Sequence, residues 1–427
     1  MTALRTVVCL LSLSLFSVAS ASDEIPGAPQ RRPIALVNVT IHTVSGPIIE
    51  NGTLVFSKGM ITDVGRDVSP PEKSRIIDLG GRHVYPGLIE AHSQIGLTEI
   101  AAVRATRDTS ETGSFNPNVK AHVSVNPDSE VIPVTRANGV LIALSAPSGG
   151  RISGQASVMQ LDGWTFEDMT LKPSAAMIVH WPSPPRSGPN EQLKELRRFF
   201  DDARAYEAAR LANSGPNGQA FDIRLESLLP VLHQEVPLMA HAGDAREIQT
   251  AVAFAAEQNV KLIIFGGHDA LACAELLTQY QVPVVIDSVH RTPARRHEDY
   301  DAPYSLAARL KDAGIAFCIS GSERESTWNT RNLPYHAATA AAYGLDRDEA
   351  LKAVTLYPAR ILGIDDRVGS LEVGKDATLI VTNGDPLETE TEISRAWIRG
   401  RRVDLGSRHK SLYEKYSRKY AQAARQQ

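Results

Sequence analysis

Cysteine is scarce, with three residues in 427, at positions 9, 273 and 318. A chain of this length has no need of disulfide staples, and its stability must come from a hydrophobic core. Cys273 and Cys318 lie in apolar, helix- or strand-like stretches and read as two buried free thiols. Long apolar runs are also missing. Beyond the first twenty-two residues nothing approaches the length of a bilayer-spanning helix. There is no excess of one charge: 45 Lys and Arg against 49 Asp and Glu give a formal net charge of -4. That balance gives no electrostatic reason to expect nucleic acid or a membrane surface as a partner. No glycine-rich phosphate loop follows an early strand, which weakens the case for a doubly wound open sheet, the alternative architecture. One more absence concerns the stretch "YPGLIEAHSQIGLTEI" from Tyr85. It delivers a single histidine, His92, and Gln94 stands where a second would complete a His-x-His pair.

What is present begins with "MTALRTVVCLLSLSLFSVASAS". One basic residue, Arg5, precedes an apolar region from Val7 to Val18 and a small-x-small site at Ala19-Ser20-Ala21. The pattern predicts a signal peptide over 1–21, export, and a periplasmic or secreted mature chain. Residues 22–32, with Pro26, Gly27 and Pro29, read as a flexible leader.

The segment "IALVNVTIHTVSGPIIENGTLVFSKGMITDVG" alternates apolar and polar residues between glycine turns, as a β-meander does. A second β-rich piece comes far later, in "VGSLEVGKDATLIVTNGDP" and "ISRAWIRGRRVDLG". Neither is large enough to build a good core alone. Joining them predicts a small β-sandwich from residues 33–86 and 366–405, with residues 87–365 inserted between. That insert alternates short apolar strands with amphipathic helical segments such as "NEQLKELRRFFDDARAYEAARLA" and "DAREIQTAVAFAAEQ". Strand candidates end near His92, Ser145, Leu161, His180, His241, Phe265, Asp287 and Ile319. The fold class predicted is α/β, a parallel (β/α)8 TIM-like barrel inserted in a β-sandwich built from both chain ends. The polar stretch 104–129 after the first barrel strand is too long for an ordinary connection and reads as a lid over the active face. The glycines of "SAPSGGRISGQASVMQLDGWTFEDM" allow close backbone approach or unusual dihedrals. Residues 406–427 predict a basic helical tail packed on the barrel.

Several strand ends carry imidazoles: His92, His180 and His241, with His268 just beyond its strand in "FGGHDA". Residues at the C-terminal ends of barrel strands converge on one mouth, and imidazole is a good ligand for zinc, iron, nickel or copper.

These motifs resemble the amidohydrolase superfamily, in particular its imidazolonepropionase-like branch. The resemblance rests on "VYPGLIEAHS", "VPLMAHAGDAREI", "GGHDA", "EALKAVTLYPARILGI" and "GSLEVGKDATLIV", and runs from Ile34 to Leu405. It implies a metal-activated water attacking an amide, lactam or related C–N bond, with an aspartate after the eighth strand moving the proton. Carried onto this chain, it implies one divalent metal, zinc being the first expectation, on His92, His180 and His241, with Glu323 and His268 catalytic. The sequence departs from the family pattern at Gln94, at Glu90 for the first-strand aspartate, and at Glu323 for the eighth-strand aspartate. The fourth strand supplies His180 in place of a lysine that could be carbamylated. The resemblance therefore implies an exported hydrolase of a small-molecule substrate, as a possible homodimer or paired with a paralogue. The alternative is a catalytically impaired relative that serves as a binding protein or as the partner of an active paralogue.

Overall fold

The computed structural model describes residues 24–212, 220–321 and 327–424. The expected signal peptide and Glu323 fall outside those residues. Both chain ends build one eight-stranded sheet. Its strands are β1 (Ile34–Ile41), β2 (Ile49–Ser57), β3 (Met60–Gly65), β4 (Arg75–Asp78) and β5 (His83–Pro86) from the front. A second sheet, also eight-stranded, is the barrel. It runs through β6 (Leu88–Ser93), β7 (Val140–Ser145), β8 (Ile152–Gln160), β9 (Thr170–His180), β10 (Leu238–Ala242), β11 (Leu262–Gly266), β12 (Val284–Ile286) and β13 (Phe317–Ile319). The chain then returns to the first sheet with β14 (Leu379–Thr382), β15 (Ile393–Ile398) and β16 (Arg401–Val403), where β14 pairs with β5. Leu36, Phe56, Leu379 and Trp397 meet in the core of this lobe, so neither chain end could bury its apolar face without the other.

The barrel differs from the all-parallel expectation in one strand. β8 is antiparallel to both β7 and β9, while the remaining neighbours pair parallel. The cause is local, because β7 and β8 are joined by the short "APSGGR" turn, and a connection that short can make only a hairpin. Elsewhere the helices Glu191–Ala212, Ala245–Gln258, Ala302–Asp312 and Leu333–Ala342 cover the outer face. Inside, Ile89, Ile142, Val158, Ile178, Met239, Ile263, Val285 and Cys318 fill the lumen. Those strands are apolar on both faces, which is why they read as continuous runs rather than alternations. Cys273 and Cys318 are both buried and free.

The two ends of the barrel sheet, β6 and β13, are not neighbours in the strand order. They are bridged in two ways. Ile89 N donates to Val354 O at 2.9 Å and Ile319 N to Ala353 O at 3.0 Å, so one backbone corner serves both strands. Above it, the Glu90 carboxylate accepts from Gly321 N at 2.8 Å, from His92 N at 3.1 Å and from the Ser320 hydroxyl.

The leader is pinned rather than loose. Arg136 (3% exposed side chain) holds Glu24 at 2.9 Å and approaches Asp162 (also 3%) at 3.4 Å. Its remaining donors go to the carbonyls of Leu161 at 2.9 Å and Asp404 at 2.8 Å. Gly27 N donates to Asp162 at 3.1 Å, and a Cβ on Gly27 would sit 2.7 Å from the Arg402 carbonyl oxygen, so only glycine fits there. The tail is helical over Arg408–Ala424, but it buries no residue and leaves Tyr413, Tyr416 and Tyr420 exposed. The expected packing on the barrel is confined to its first turn, where His409 meets Arg331 at 3.0 Å, and beyond it lysines and arginines border the exposed aromatic stripe.

Arg136→Ala is expected to destabilise the protein by about 3 kcal/mol in urea unfolding, because it strips a buried carboxylate of its main cation. Glu24→Ala, on the half-exposed side of the same cluster, should cost less than about 1 kcal/mol.

Candidate functional site

The barrel lumen sets the phase of the site. Side chains alternate along a strand, so the position two beyond a lumen residue also faces inward. On β9 that step leads from Ile178 to His180, on β10 from Met239 to His241, and on β11 from Ile263 to Phe265. On β12 it leads from Val285 to Asp287, and on β13 from Cys318 to Ser320. β6 breaks the rule. Its pairing with β7 shifts register between Glu90 and Ser93, so His92 faces the same mouth although Ile89 and Ala91 are its lumen residues.

The structure brings His92, His180 and His241 together. The His241 ring lies 4.6 Å from that of His180 and 4.9 Å from that of His92, edge-on to both. Phe265 forms the floor, stacked on His92 at 3.9 Å and tilted 4.6 Å from His241. Burial and mutual repulsion keep all three imidazoles neutral: His241 is held far below its usual value, His92 falls to about 3, and His180 is lowered with Arg151 adding to the effect.

His268 does not join this trio. It sits beyond β11, with Nε2 at 2.9 Å from Asp287 Oδ1. Nε2–H donates to that carboxylate, and Nδ1 faces Gly243. A Cβ at Gly243 would lie 3.2 Å from that nitrogen, so the glycine of "HAGDA" makes room for the ring. The turn itself is held by a capping box in which the Asp244 carboxylate accepts from Glu247 N and Glu247 reaches back to the backbone. Asp287 is the site residue that sequence reasoning passed over, though it stood in view as a strand end. The signal that finds it is the same two-residue step that finds His180 and His241.

Gln94 lies just past β6, in a tight turn where its carbonyl accepts from Leu97 N at 2.9 Å. The chain has therefore already turned where the second histidine of a pair would stand. Glu90 is wholly buried below His92, and burial lifts its carboxyl to about 7 against the pull of its hydrogen bonds.

Whether these residues suit a divalent cation can be judged from their donors. Nε2 of His180 and of His241 are both buried without a hydrogen-bond partner, and a neutral imidazole is the form that ligates. Yet among the described residues no group of three His, Cys, Asp or Glu is placed to hold an ion. The donor chemistry suits a borderline metal such as zinc, and the described donors alone do not complete its shell.

The long stretch after β6 is a fixed rim. Asn116 N donates to Ile152 O at 2.9 Å, Gln155 N to Val119 O at 2.8 Å, and the Gln155 amide to Pro117 O at 2.9 Å. The glycines of "SAPSGGRISG" admit this rim: Cβ atoms on Gly149, Gly150 and Gly154 would lie 2.8, 2.8 and 2.7 Å from Ser110, Gly113 and Val119. Close approach was the right expectation for these glycines, and the partner is the chain's own loop. Arg151 closes the set, donating to the His180 carbonyl while its own carbonyl accepts from His180 N at 3.0 Å.

Comparison with known proteins agrees with this fold. Residues 233–403 match the model of the amidohydrolase family. The chain is 24% identical to the amidohydrolase tasK of Hapsidospora irregularis over 399 residues, 82% of this chain and 39% of that protein. It is 24% identical to an imidazolonepropionase of Porphyromonas gingivalis over 386 residues, 80% of this chain and 84% of that one. The fold matches the crystal structure of an amidohydrolase from Thermotoga maritima with a TM-score of 0.77 at 27% identity, covering 87% of this chain and 99% of the other. The barrel and its second, two-ended sheet thus resemble the fold of that amidohydrolase, and the sequence of residues 233–403 resembles the amidohydrolase family.

Gly154→Ala is expected to expel the rim, because its φ of +131° excludes a side chain as firmly as the Val119 contact does. Limited proteolysis should then cut within 104–129 at least tenfold faster than in the wild type, with stability lower by about 1–3 kcal/mol.

Proposed function

We propose that this protein is a hydrolase that cleaves a C–N bond, of the amide, lactam or similar kind, in a small molecule. The observation that carries the reading is the meeting, at one barrel mouth, of two neutral imidazoles with orphaned Nε2 atoms and a histidine–aspartate pair. The resemblance to the amidohydrolase family and the low-identity likeness to imidazolonepropionase support the choice of bond. Export, read from residues 1–21, belongs to the same proposal.

His180 and His241 would hold one divalent ion, with His92 beside them and a further donor still needed. When bound, such an ion lowers the pKa of water and polarises the carbonyl under attack. The chain's own residues supply the rest. Phe265 walls the imidazoles with apolar surface, which keeps them unprotonated and strengthens any charge interaction made there. The glutamate expected as base, Glu323, falls outside the described residues; among the described residues Asp287 is the carboxylate placed to handle the proton. It accepts from His268 Nε2–H, and its charge also acts on His92, which places it within reach of chemistry at the imidazoles. His268 fixes the orientation of that carboxylate. Glu90 serves from below, by setting the backbone of His92.

The test is metal content together with hydrolysis of a panel of N-acyl amino acids, lactams and dipeptides. Purified protein should carry close to one equivalent of zinc, manganese or iron, and His241→Ala should lose both the metal and at least a hundredfold in kcat/KM. Asp287→Asn should keep the metal and lose about 10²–10⁴-fold in kcat, the usual worth of a positioned acid–base group. A metal-free wild type that stays inactive on reconstitution ends the proposal.

A further inference from the structure

Most charged groups around the mouth are already matched. Asp269 and Glu298 share Arg295, at 2.5 and 2.8 Å, and Asp287 is taken by His268. Arg291, four residues beyond Asp287, stands apart. It has no ion-paired carboxylate among the described residues, and its one hydrogen bond is a long 3.4 Å donation to the Thr292 carbonyl. Its side chain is half-buried, and its Nε is fully buried without a partner. The neighbouring Ser288, 4% exposed, has a hydroxyl in the same condition.

Both residues leave the lumen-facing end of β12, on the side of the barrel where the imidazoles gather. Asp287 follows the lumen residue Val285 by one inward step, and Ser288 and Arg291 follow it at the same, C-terminal end of the barrel strands as His180 and His241. A desolvated guanidinium is costly unless it meets an anion. The charges of Asp287, Glu298 and Asp269 reach it, but each is paired with His268 or Arg295, and among the described residues none forms an ion pair with Arg291. Guanidinium offers a planar fork that matches a carboxylate in two parallel hydrogen bonds.

We infer that the substrate carries a carboxylate and that Arg291 is the specificity-determining residue that binds it. This rests on the C–N hydrolase reading for the reaction and goes beyond it in the choice of substrate. The substrate would lie with its acid group against Arg291 and the Ser288 hydroxyl and its scissile bond toward His180 and His241. Arg291 takes no part in bond cleavage. Removing it should raise KM for acids and leave kcat nearly intact, whereas Asp287→Asn lowers kcat.

The experiment uses the full chain and three matched probe pairs: N-acetylglycine, N-acetylalanine and N-acetylproline, each beside its primary amide. Binding is measured by calorimetry, and turnover separately. Wild type should bind at least one acid ten- to a hundredfold more tightly than its amide, the range for a hydrogen bond to a charged group. Arg291→Gln should erase that preference, and Arg291→Lys, which keeps the charge without the fork and guards against misfolding, should retain part of it. Arg295→Gln, already ion-paired in the native protein, should keep it whole. No acid preference in the wild type, or an undiminished one in Arg291→Gln, overturns the inference. Turnover of acids and amides alike by Arg291→Gln leaves C–N hydrolysis standing and removes only the carboxylate. An Arg291-dependent acid preference without turnover of any substrate upholds the carboxylate site and counts against hydrolysis.

Discussion

The barrel is shut by a carboxylate. β6 and β13 end the sheet without pairing, and above the 353–354 corner the gap is spanned by Glu90, accepting from His92 N, Gly321 N and the Ser320 hydroxyl, with Ser320 also donating to the His92 carbonyl at 3.2 Å. A buried carboxyl is expensive unless its lone pairs are engaged, and here they are engaged by the groups that must be held. One strand carries His92 and the other leads into the loop after β13. The same bonds that close the seam therefore fix where His92 stands. The mild change from aspartate to glutamate acquires a meaning in this light: the extra methylene lets the carboxylate reach across to a strand it does not pair with.

Around that seam the site follows from strand phase. A packed lumen of Ile178, Met239, Ile263 and Val285 fixes which way each strand faces, and the next inward position on each emerges at the mouth. Three neighbouring strands then give His180, His241 and Phe265 in a row. The aromatic ring is as much a part of the design as the imidazoles, since it excludes water from them and keeps them neutral. The trade of a second histidine for Gln94 falls at a point where the chain has already turned, so the site is built around one histidine from β6.

Rigid loops frame the mouth. The stretch expected as a lid is tied to β8 by backbone hydrogen bonds and seated against three glycines, and it shapes the opening. The reversal of β8 makes this possible. Its start, not its end, lies at the mouth, and the hairpin that precedes it brings Arg151 against His180. The leader is pinned by a similar logic, with Arg136 and Asp162 deep between the two lobes and Gly27 where no side chain fits.

Much of this was legible in the sequence. Apolar runs ending in histidine located the strands, the split β pieces announced a lobe shared by both chain ends, and the family motifs supplied the order. Those features are local, or repeat at a period of two, and so survive in a linear reading. Asp287 was visible as a strand end but carried no motif, and Phe265 looked like one more core residue. The pairing of His268 with Asp287 joins side chains nineteen positions apart on neighbouring strands, and no spacing rule encodes that. The direction of β8, the register shift that turns His92 inward, and the lack of an ion-pair partner for Arg291 among the described residues were settled only by tertiary structure. Each depends on which strands lie side by side and on what surrounds a side chain in space, whereas residue types and their periodicity already determined the elements themselves and the face each one buries.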